Sequence, residues 1–109
     1  MVSMKKYDKL VRDRIPEIIE RAGKAATWRR LRDVEFRLAL KAKALEEAQE
    51  LFDATDEALL AELADLEEVV EAILTTYGHS REELKAVREK KNKDRGAFTQ
   101  RLFLESVDD

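Results

Sequence analysis

The chain has 109 residues, of which 44% are apolar and only 6% are aromatic, and it contains no cysteine. This length suits one domain, residues 1–109, and the lack of cysteine excludes disulfides, thiolate metal sites and a thiol nucleophile within it. Charged residues make up 41% with a formal net charge of −3, which is not the balance of a protein that binds a nucleic-acid polymer. No apolar run suits a signal peptide or a membrane span, so we expect a cytoplasmic protein without membrane contact.

Proline and glycine mark the ends of the first predicted helix. Pro16 suits the first turn, where its missing N–H is not needed, and Gly23 suits the left-handed position beyond the last turn. They predict a short helix over about residues 15–22. A long helix is predicted from roughly residue 33 to residue 54. Its apolar positions are Val34, Leu38, Leu45 and Phe52.

A third helix is predicted between Asp56, a candidate N-cap, and Tyr77, with Gly78 ending it. Its apolar positions follow a 4-3-4-3-4 spacing, which predicts a seam that faces the core. These positions are Leu59, Leu63, Leu66, Val70, Ile73 and Tyr77.

The last predicted helix begins at a capping box, in which Ser80 and Glu83 satisfy each other's backbone N–H groups. It continues to about Arg95. The segment FTQRLFLESV that follows favours a short C-terminal strand or an extended tail. Phe98 and Phe103 are expected to tie this tail down by packing against the domain.

These elements predict an all-α fold, an antiparallel helical bundle that ends in a short strand or an extended tail. The few aromatic residues leave a single chain with a thin core. A partner subunit often completes such a core, so we expect the core to be completed by dimerisation, in a homodimer or a homotetramer.

Two pairs of acidic residues lie on the two longest predicted helices. Glu47 and Glu50 are three residues apart in LEEAQEL, and so are Glu62 and Asp65 in LAELADLEEV. Residues three apart share one helix face, and both pairs border apolar stripes. The short connection DATDE predicts an antiparallel hairpin that places one pair across from the other.

Four carboxylates at a half-buried seam repel one another and need a cation to stay ionised together. Oxygen ligands favour Mg²⁺ or Mn²⁺ over zinc or copper. No histidine accompanies either pair, which argues against a di-iron bundle. In a chain this rich in charge, acidic pairs also arise as surface residues that contact only water or basic side chains, and that alternative is open at this point.

The acidic residues and both ends of the chain resemble a known family. EEAQE, followed after eleven residues by ELAD, resembles the E-E-x-x-E…E-x-x-D signature of the all-α nucleoside triphosphate pyrophosphatases. These include the MazG-like proteins, the dimeric dUTPases and the phosphoribosyl-ATP pyrophosphohydrolases. YDKLVRDRIPEII and KNKDRGAF are similar to small single-domain members described as phosphoribosyl-ATP pyrophosphohydrolase-like. The resemblance covers about residues 7–104.

This resemblance implies a bundle of the MazG-like type and a nucleotide substrate. It implies Mg²⁺-dependent cleavage of the α–β phosphoanhydride of a nucleoside triphosphate, which releases a nucleoside monophosphate and pyrophosphate. By the same resemblance, Mg²⁺, with Mn²⁺ as a substitute, is held by Glu47, Glu50, Glu62 and Asp65. Glu46 is then a fifth ligand or a base for water, which makes Glu46, Glu47 and Glu50 the catalytic candidates.

Basic residues near both ends are candidates for binding the phosphates. Lys91 and Arg95 match the K-x-x-x-R of the family and share one helix face, although an ordinary basic helix terminus is the alternative. The segment KLVRDRIP is expected to fold over the site, with Arg12 or Arg14 near phosphate or in a salt bridge to the acidic cluster. A purely structural clasp is the alternative.

The motifs do not fix the substrate, so we expect a house-cleaning enzyme that removes non-standard or excess nucleotides. One alternative is the phosphoribosyl-ATP pyrophosphohydrolase of histidine biosynthesis. The other is a non-catalytic helical module whose acids are surface residues and whose apolar seams serve oligomerisation.

Overall fold

The computed structural model describes residues 4–108, and its regular structure consists of helices. They are α1 (Ile15–Arg21), α2 (Asp33–Asp53), α3 (Leu59–Tyr77) and α4 (Arg81–Arg95). The described residues contain no β-strand, so the predicted all-α class is confirmed. No helix between residues 4 and 108 is both long and apolar enough to cross a membrane.

Local capping places the ends of α3 and α4 near their predicted positions. The Oγ of Ser80 accepts a hydrogen bond from the Glu83 backbone N–H at 3.1 Å, and Glu83 Oε1 accepts one from the Ser80 N–H at 3.0 Å. The predicted capping box is therefore confirmed. Gly78 ends α3 with a φ of 76°, a left-handed conformation that strains any residue with a side chain.

The start of α3 differs from its prediction. Asp56 lies in a turn before the helix, and the N-cap position belongs to Ala58, which has no capping side chain. The Ala58 N–H instead donates to the hydroxyl of Thr55 at 3.3 Å. The Thr55 hydroxyl thus stabilises the turn, and the prediction of Asp56 as N-cap was wrong.

Helices α2 and α3 pack against each other as the predicted hairpin. No other pair of helices within residues 4–108 makes contact as extensive as theirs. Within residues 4–108 the buried apolar side chains are Leu40 of α2 and Val69 and Leu74 of α3. The radius of gyration is 18.7 Å, against about 13 Å for a compact domain of roughly this length. The single chain therefore has the thin core that its composition predicts.

The apolar seam predicted for α3 faces α2 only in part. Leu59 and Leu63 are each 43% exposed, whereas Val69 and Leu74, which lie outside the predicted set, are buried. The shielded positions near the middle of α3 are 62, 65, 66, 69 and 70, a mixture of acidic and apolar residues. The seam prediction was therefore wrong for Leu59 and Leu63, because α3 turns its acidic pair toward α2.

The apolar residues predicted on α2 lie on its outer surface. They are 70–85% exposed, while the buried positions of α2 are Leu40 and Glu47. The exposed set is Val34, Leu38, Leu45 and Phe52. We call these four residues the α2 stripe.

The C-terminal segment is an extended tail, so the alternative of a short strand was wrong. Residues 97–108 contain no helix or strand, and no neighbouring strand is present in the described chain to pair with their backbone. Phe98 and Phe103 are 96% and 88% exposed, so they do not tie the tail to the domain as predicted.

Candidate metal centre

The acidic pairs of α2 and α3 meet across the hairpin. Each member of the group offers one carboxylate oxygen, and these oxygens all lie within 4.8 Å of one another. The group consists of Glu47, Glu50, Glu62 and Asp65. The spacing of three residues places both acids of a pair on one face, and the packing of α2 on α3 brings the two faces together. The predicted juxtaposition of the four carboxylates is confirmed, and we call them the acidic cluster.

The acidic cluster is partly withdrawn from water. Glu47 is 6% exposed, Glu62 and Asp65 are half-buried, and Glu50 is exposed. The Oε2 atoms of Glu47 and Glu62 are buried and have no hydrogen-bond partner within the described residues. A buried carboxylate oxygen without a donor has lost its hydration without compensation. Two such atoms, one on each helix of the hairpin, indicate a place for a positively charged ligand.

The donor set and its dimensions fit a hard divalent cation. Oxygen ligands on opposite sides of one Mg²⁺ lie about 4.2 Å apart, since each is roughly 2.1 Å from the ion. The cluster oxygens, at most 4.8 Å apart, need shifts of about 1 Å or less to come within reach of one ion. The four carboxylates could therefore bind a metal ion with little rearrangement of the hairpin.

The electrostatics of the cluster are unfavourable in the absence of a cation. Burial and then the neighbouring carboxylate of Glu50 raise the pKa of Glu47, and the ammonium of Lys43 offsets this only in part. A divalent ion would remove this penalty, because it favours the ionised carboxylate.

This raised pKa predicts a distinctive pH dependence of stability without divalent ions. The folded protein holds the Glu47 proton more tightly than the unfolded chain, so the free energy of unfolding falls as the pH rises from the ordinary value of 4.5 through the raised pKa. Arg29 lowers the pKa of Glu35, so ionisation of Glu35 makes the free energy of unfolding rise with pH. This rise lies below pH 4.5, outside the range in which Glu47 titrates. Thermal melts in EDTA between about pH 5 and about pH 8 should show a falling Tm.

The variant Glu47→Gln is the control for that measurement, because it removes the titrating group. Its Tm should change less with pH over the same range. A wild-type Tm that rises with pH, or a decline that Glu47→Gln retains in full, contradicts the assignment to Glu47.

The N-terminal segment before α1 crosses the hairpin at the cluster. An Nη2–H of Arg12 donates to Asp65 Oδ1 at 2.8 Å, and Lys9 Nζ lies 3.2 Å from Glu46 Oε1. KLVRDRIP therefore reaches the site, and Arg12 forms the salt bridge to the acidic cluster that was one of its predicted roles. Its side chain remains 56% exposed, so its other N–H groups are open to a further ligand.

The other predicted phosphate-binding residues form no ion pair with the acidic cluster within residues 4–108. Arg14, the N-cap residue of α1, pairs with Glu17 of that helix at 3.4 Å. Lys91 and Arg95 are exposed on α4 and form no ion pair among residues 4–108. Helix α4 is attached to α3 through ion pairs of Arg81 with two glutamates. A role of Lys91 and Arg95 toward phosphate stays a prediction.

Glu46 lies beside the acidic cluster and outside it. Its Oε1 is 3.2 Å from Lys9 Nζ and 3.3 Å from Lys43 Nζ. Burial raises the pKa of Glu46, but the two ammonium groups outweigh burial and hold it below its ordinary value. Its role as fifth ligand or base stays a prediction, and acting as a base would require it to leave both lysines.

Sequence reasoning missed Lys9 and Lys43. For Lys43 a signal exists, since it precedes Glu46 by three residues and Glu47 by four, the spacings at which a helical lysine reaches a glutamate. Lys9 lies 37 residues from Glu46, and only the folding of the N-terminal segment onto α2 brings them together.

No protein-family model matches this chain, and comparisons with curated proteins and with solved structures find no match. The fold and the site thus define a class by geometry, an all-α protein whose central hairpin carries a four-carboxylate cluster that could bind a metal ion.

Proposed function

We propose that this protein is a Mg²⁺-dependent nucleoside triphosphate pyrophosphohydrolase of the MazG-like superfamily with a house-cleaning role. It cleaves the α–β phosphoanhydride and releases a nucleoside monophosphate and pyrophosphate. The observation that carries the proposal is the acidic cluster, in which the buried Glu47 keeps one oxygen without any partner among the described residues. The resemblance of KLVRDRIP, EEAQE…ELAD and KNKDRGAF to that superfamily supports the same reaction.

In this reaction the acidic cluster holds Mg²⁺, and Mn²⁺ is a substitute with the same ligand preference. When bound there, such an ion would neutralise charge on the phosphate oxygens and lower the pKa of a bound water. Glu50 is the exposed member of the cluster, so its second oxygen is the one best placed to accept a proton from an attacking water. Arg12, paired with Asp65 at the edge of the site, keeps free N–H donors for a phosphate.

A second copy of the chain completes the core in this proposal, giving a homodimer or a pair of dimers. The α2 stripe, at spacings of four, seven and seven residues, forms an apolar line along one helix face. A line of this kind on the outer surface of a thin hairpin is self-complementary across a two-fold axis. The open shape of the single chain supports the same conclusion.

A pyrophosphate-release assay tests the proposed reaction. Natural and modified nucleoside triphosphates, with phosphoribosyl-ATP among them, are supplied with Mg²⁺, with Mn²⁺ or with EDTA. We expect release that requires the divalent ion and yields the nucleoside monophosphate as second product. Turnover of phosphoribosyl-ATP alone would assign the biosynthetic reaction, and release of orthophosphate or the absence of metal-dependent turnover contradicts the proposal.

The second candidate is a non-catalytic oligomerisation module, which the exposed α2 stripe favours. Thermal shifts separate the two candidates. A hydrolase should be stabilised jointly by Mg²⁺ and a non-hydrolysable nucleotide, since both bind the folded state at one site. A module without a nucleotide site should melt at the same temperature with and without the nucleotide.

A further inference from the structure

Lys43 is unusually shielded for a charged side chain. It is 15% exposed, whereas the other basic residues that form ion pairs in the described chain are 38–77% exposed. Its Nζ lies 3.4 Å from Oε1 of Glu47 and 3.3 Å from Oε1 of Glu46. A shielded ammonium depends on such partners, because it has lost much of its hydration. The three side chains therefore hold one another in place.

The contact leaves the two oxygens of Glu47 in different surroundings. Oε1 faces Lys43, while Oε2 is buried and has no hydrogen-bond partner among residues 4–108. Glu47 also belongs to the acidic cluster, and Oε2 is the oxygen that its ion pair with Lys43 leaves available to a cation. An ammonium group on one oxygen restricts rotation of the whole carboxylate, and partners of this kind orient metal ligands in proteins.

We propose that Lys43 is a positioning residue of the metal centre, which holds Oε1 of Glu47 and so presents Oε2 to a divalent cation. The inference rests on the proposed function only in requiring a cation at the acidic cluster. It requires neither hydrolysis nor a particular nucleotide, since Lys43 acts through Glu47 and not on a substrate.

A positioning role and a plain counter-charge predict opposite results when Lys43 is neutralised. A counter-charge repels the incoming cation, so its removal strengthens cation binding. A positioning residue keeps the ligand oriented, so its removal lets Glu47 turn away and weakens binding by about 10- to 100-fold. The sign of the change in affinity therefore distinguishes the two roles.

Titration with Mn²⁺, followed by the electron paramagnetic resonance of the free ion, measures this affinity in the full chain without nucleotide. The variants are Lys43→Met, which removes the charge, and Lys43→Arg, which keeps it. Lys85→Met is the matched control, because Lys85 is exposed on α4 and pairs with Glu89 of the same helix. We expect about 10-fold or greater loss for Lys43→Met, partial recovery in Lys43→Arg and wild-type affinity for the control.

Melting temperatures in EDTA and circular dichroism verify that each variant folds, and Lys43→Gln takes the place of Lys43→Met if the latter does not. Equal or tighter Mn²⁺ binding by the folded neutral variant overturns the positioning role and leaves the metal centre standing. A wild-type protein that does not bind Mn²⁺ overturns the metal centre itself, and with it the proposed function.

Discussion

Replacing Glu50 by Gln is expected to abolish Mg²⁺-dependent pyrophosphate release, with a loss of about 100-fold or more. Glu50 contributes an oxygen to the acidic cluster, yet it is exposed and forms no ion pair among the described residues. Its carboxylate is therefore expected to bind the metal ion and to contribute little to the stability of the fold. Mutating a residue that only hydrogen-bonds to a metal ligand already lowers metal affinity or activity by about 10- to 100-fold. Loss of a ligand itself should therefore have a larger effect.

The same substitution should raise the Tm in EDTA. The charge of Glu50 is one of the causes that raise the pKa of Glu47, so removing it relieves repulsion in the metal-free protein. Asp65→Asn should lose activity as well, but with a smaller gain in stability, because it weakens the 2.8 Å ion pair with Arg12. A large loss of stability in Glu50→Gln would show that this side chain supports the fold.

Glu68→Gln is the matched control for both measurements. Glu68 is an exposed glutamate of α3 that lies outside the acidic cluster, so its variant should keep wild-type turnover and Tm. Full turnover by Glu50→Gln, at the level of this control, would rule out a metal-binding role for the cluster in catalysis.

Leu45→Glu is expected to convert the proposed dimer into monomers. Leu45 is 75% exposed in the middle of the α2 stripe, with Leu38 and Phe52 seven residues to either side. An unpaired carboxylate buried against a second copy costs about 3 kcal/mol or more, which corresponds to roughly 100-fold weaker association. Light scattering coupled to size-exclusion chromatography measures the change in mass directly.

The loss of the partner should also lower the Tm of Leu45→Glu, since the thin core of one chain then stands alone. Val87→Glu is the control, because Val87 is 55% exposed on α4 and lies outside the stripe. A wild-type protein that is monomeric at micromolar concentration, or a Leu45→Glu variant that stays dimeric, contradicts the pairing through α2.

Local features were predictable where one stretch of chain contains all the atoms involved. The capping box of Ser80 and Glu83 is an example, because its two hydrogen bonds join residues three apart. The pairing of acids on each helix face is another, since a spacing of three residues fixes direction on any helix. The short connection between α2 and α3 then sufficed to predict that the pairs meet.

The orientation of α3 could not be predicted in the same way. A purely apolar seam through Leu59 and Leu63 satisfies the usual rule for a core-facing stripe, yet α3 directs Glu62 and Asp65 toward α2. Periodicity identifies which residues share a face, but it does not say which of two faces is covered by the chain itself. The α2 stripe shows the same limit, since its apolar spacing was evident while its exposure was not.

By itself, the sequence determined the helices, most of their ends and the residue types that form the acidic cluster, because caps and helical periodicity act over a few residues. Only the tertiary structure decided that Glu47 is buried, that Lys9 reaches Glu46 across 37 positions and that Arg12 reaches Asp65 across 53 positions. The physical reason is that burial and long-range ion pairs depend on how whole helices pack. That packing balances apolar contact against the desolvation of charge over the entire hairpin.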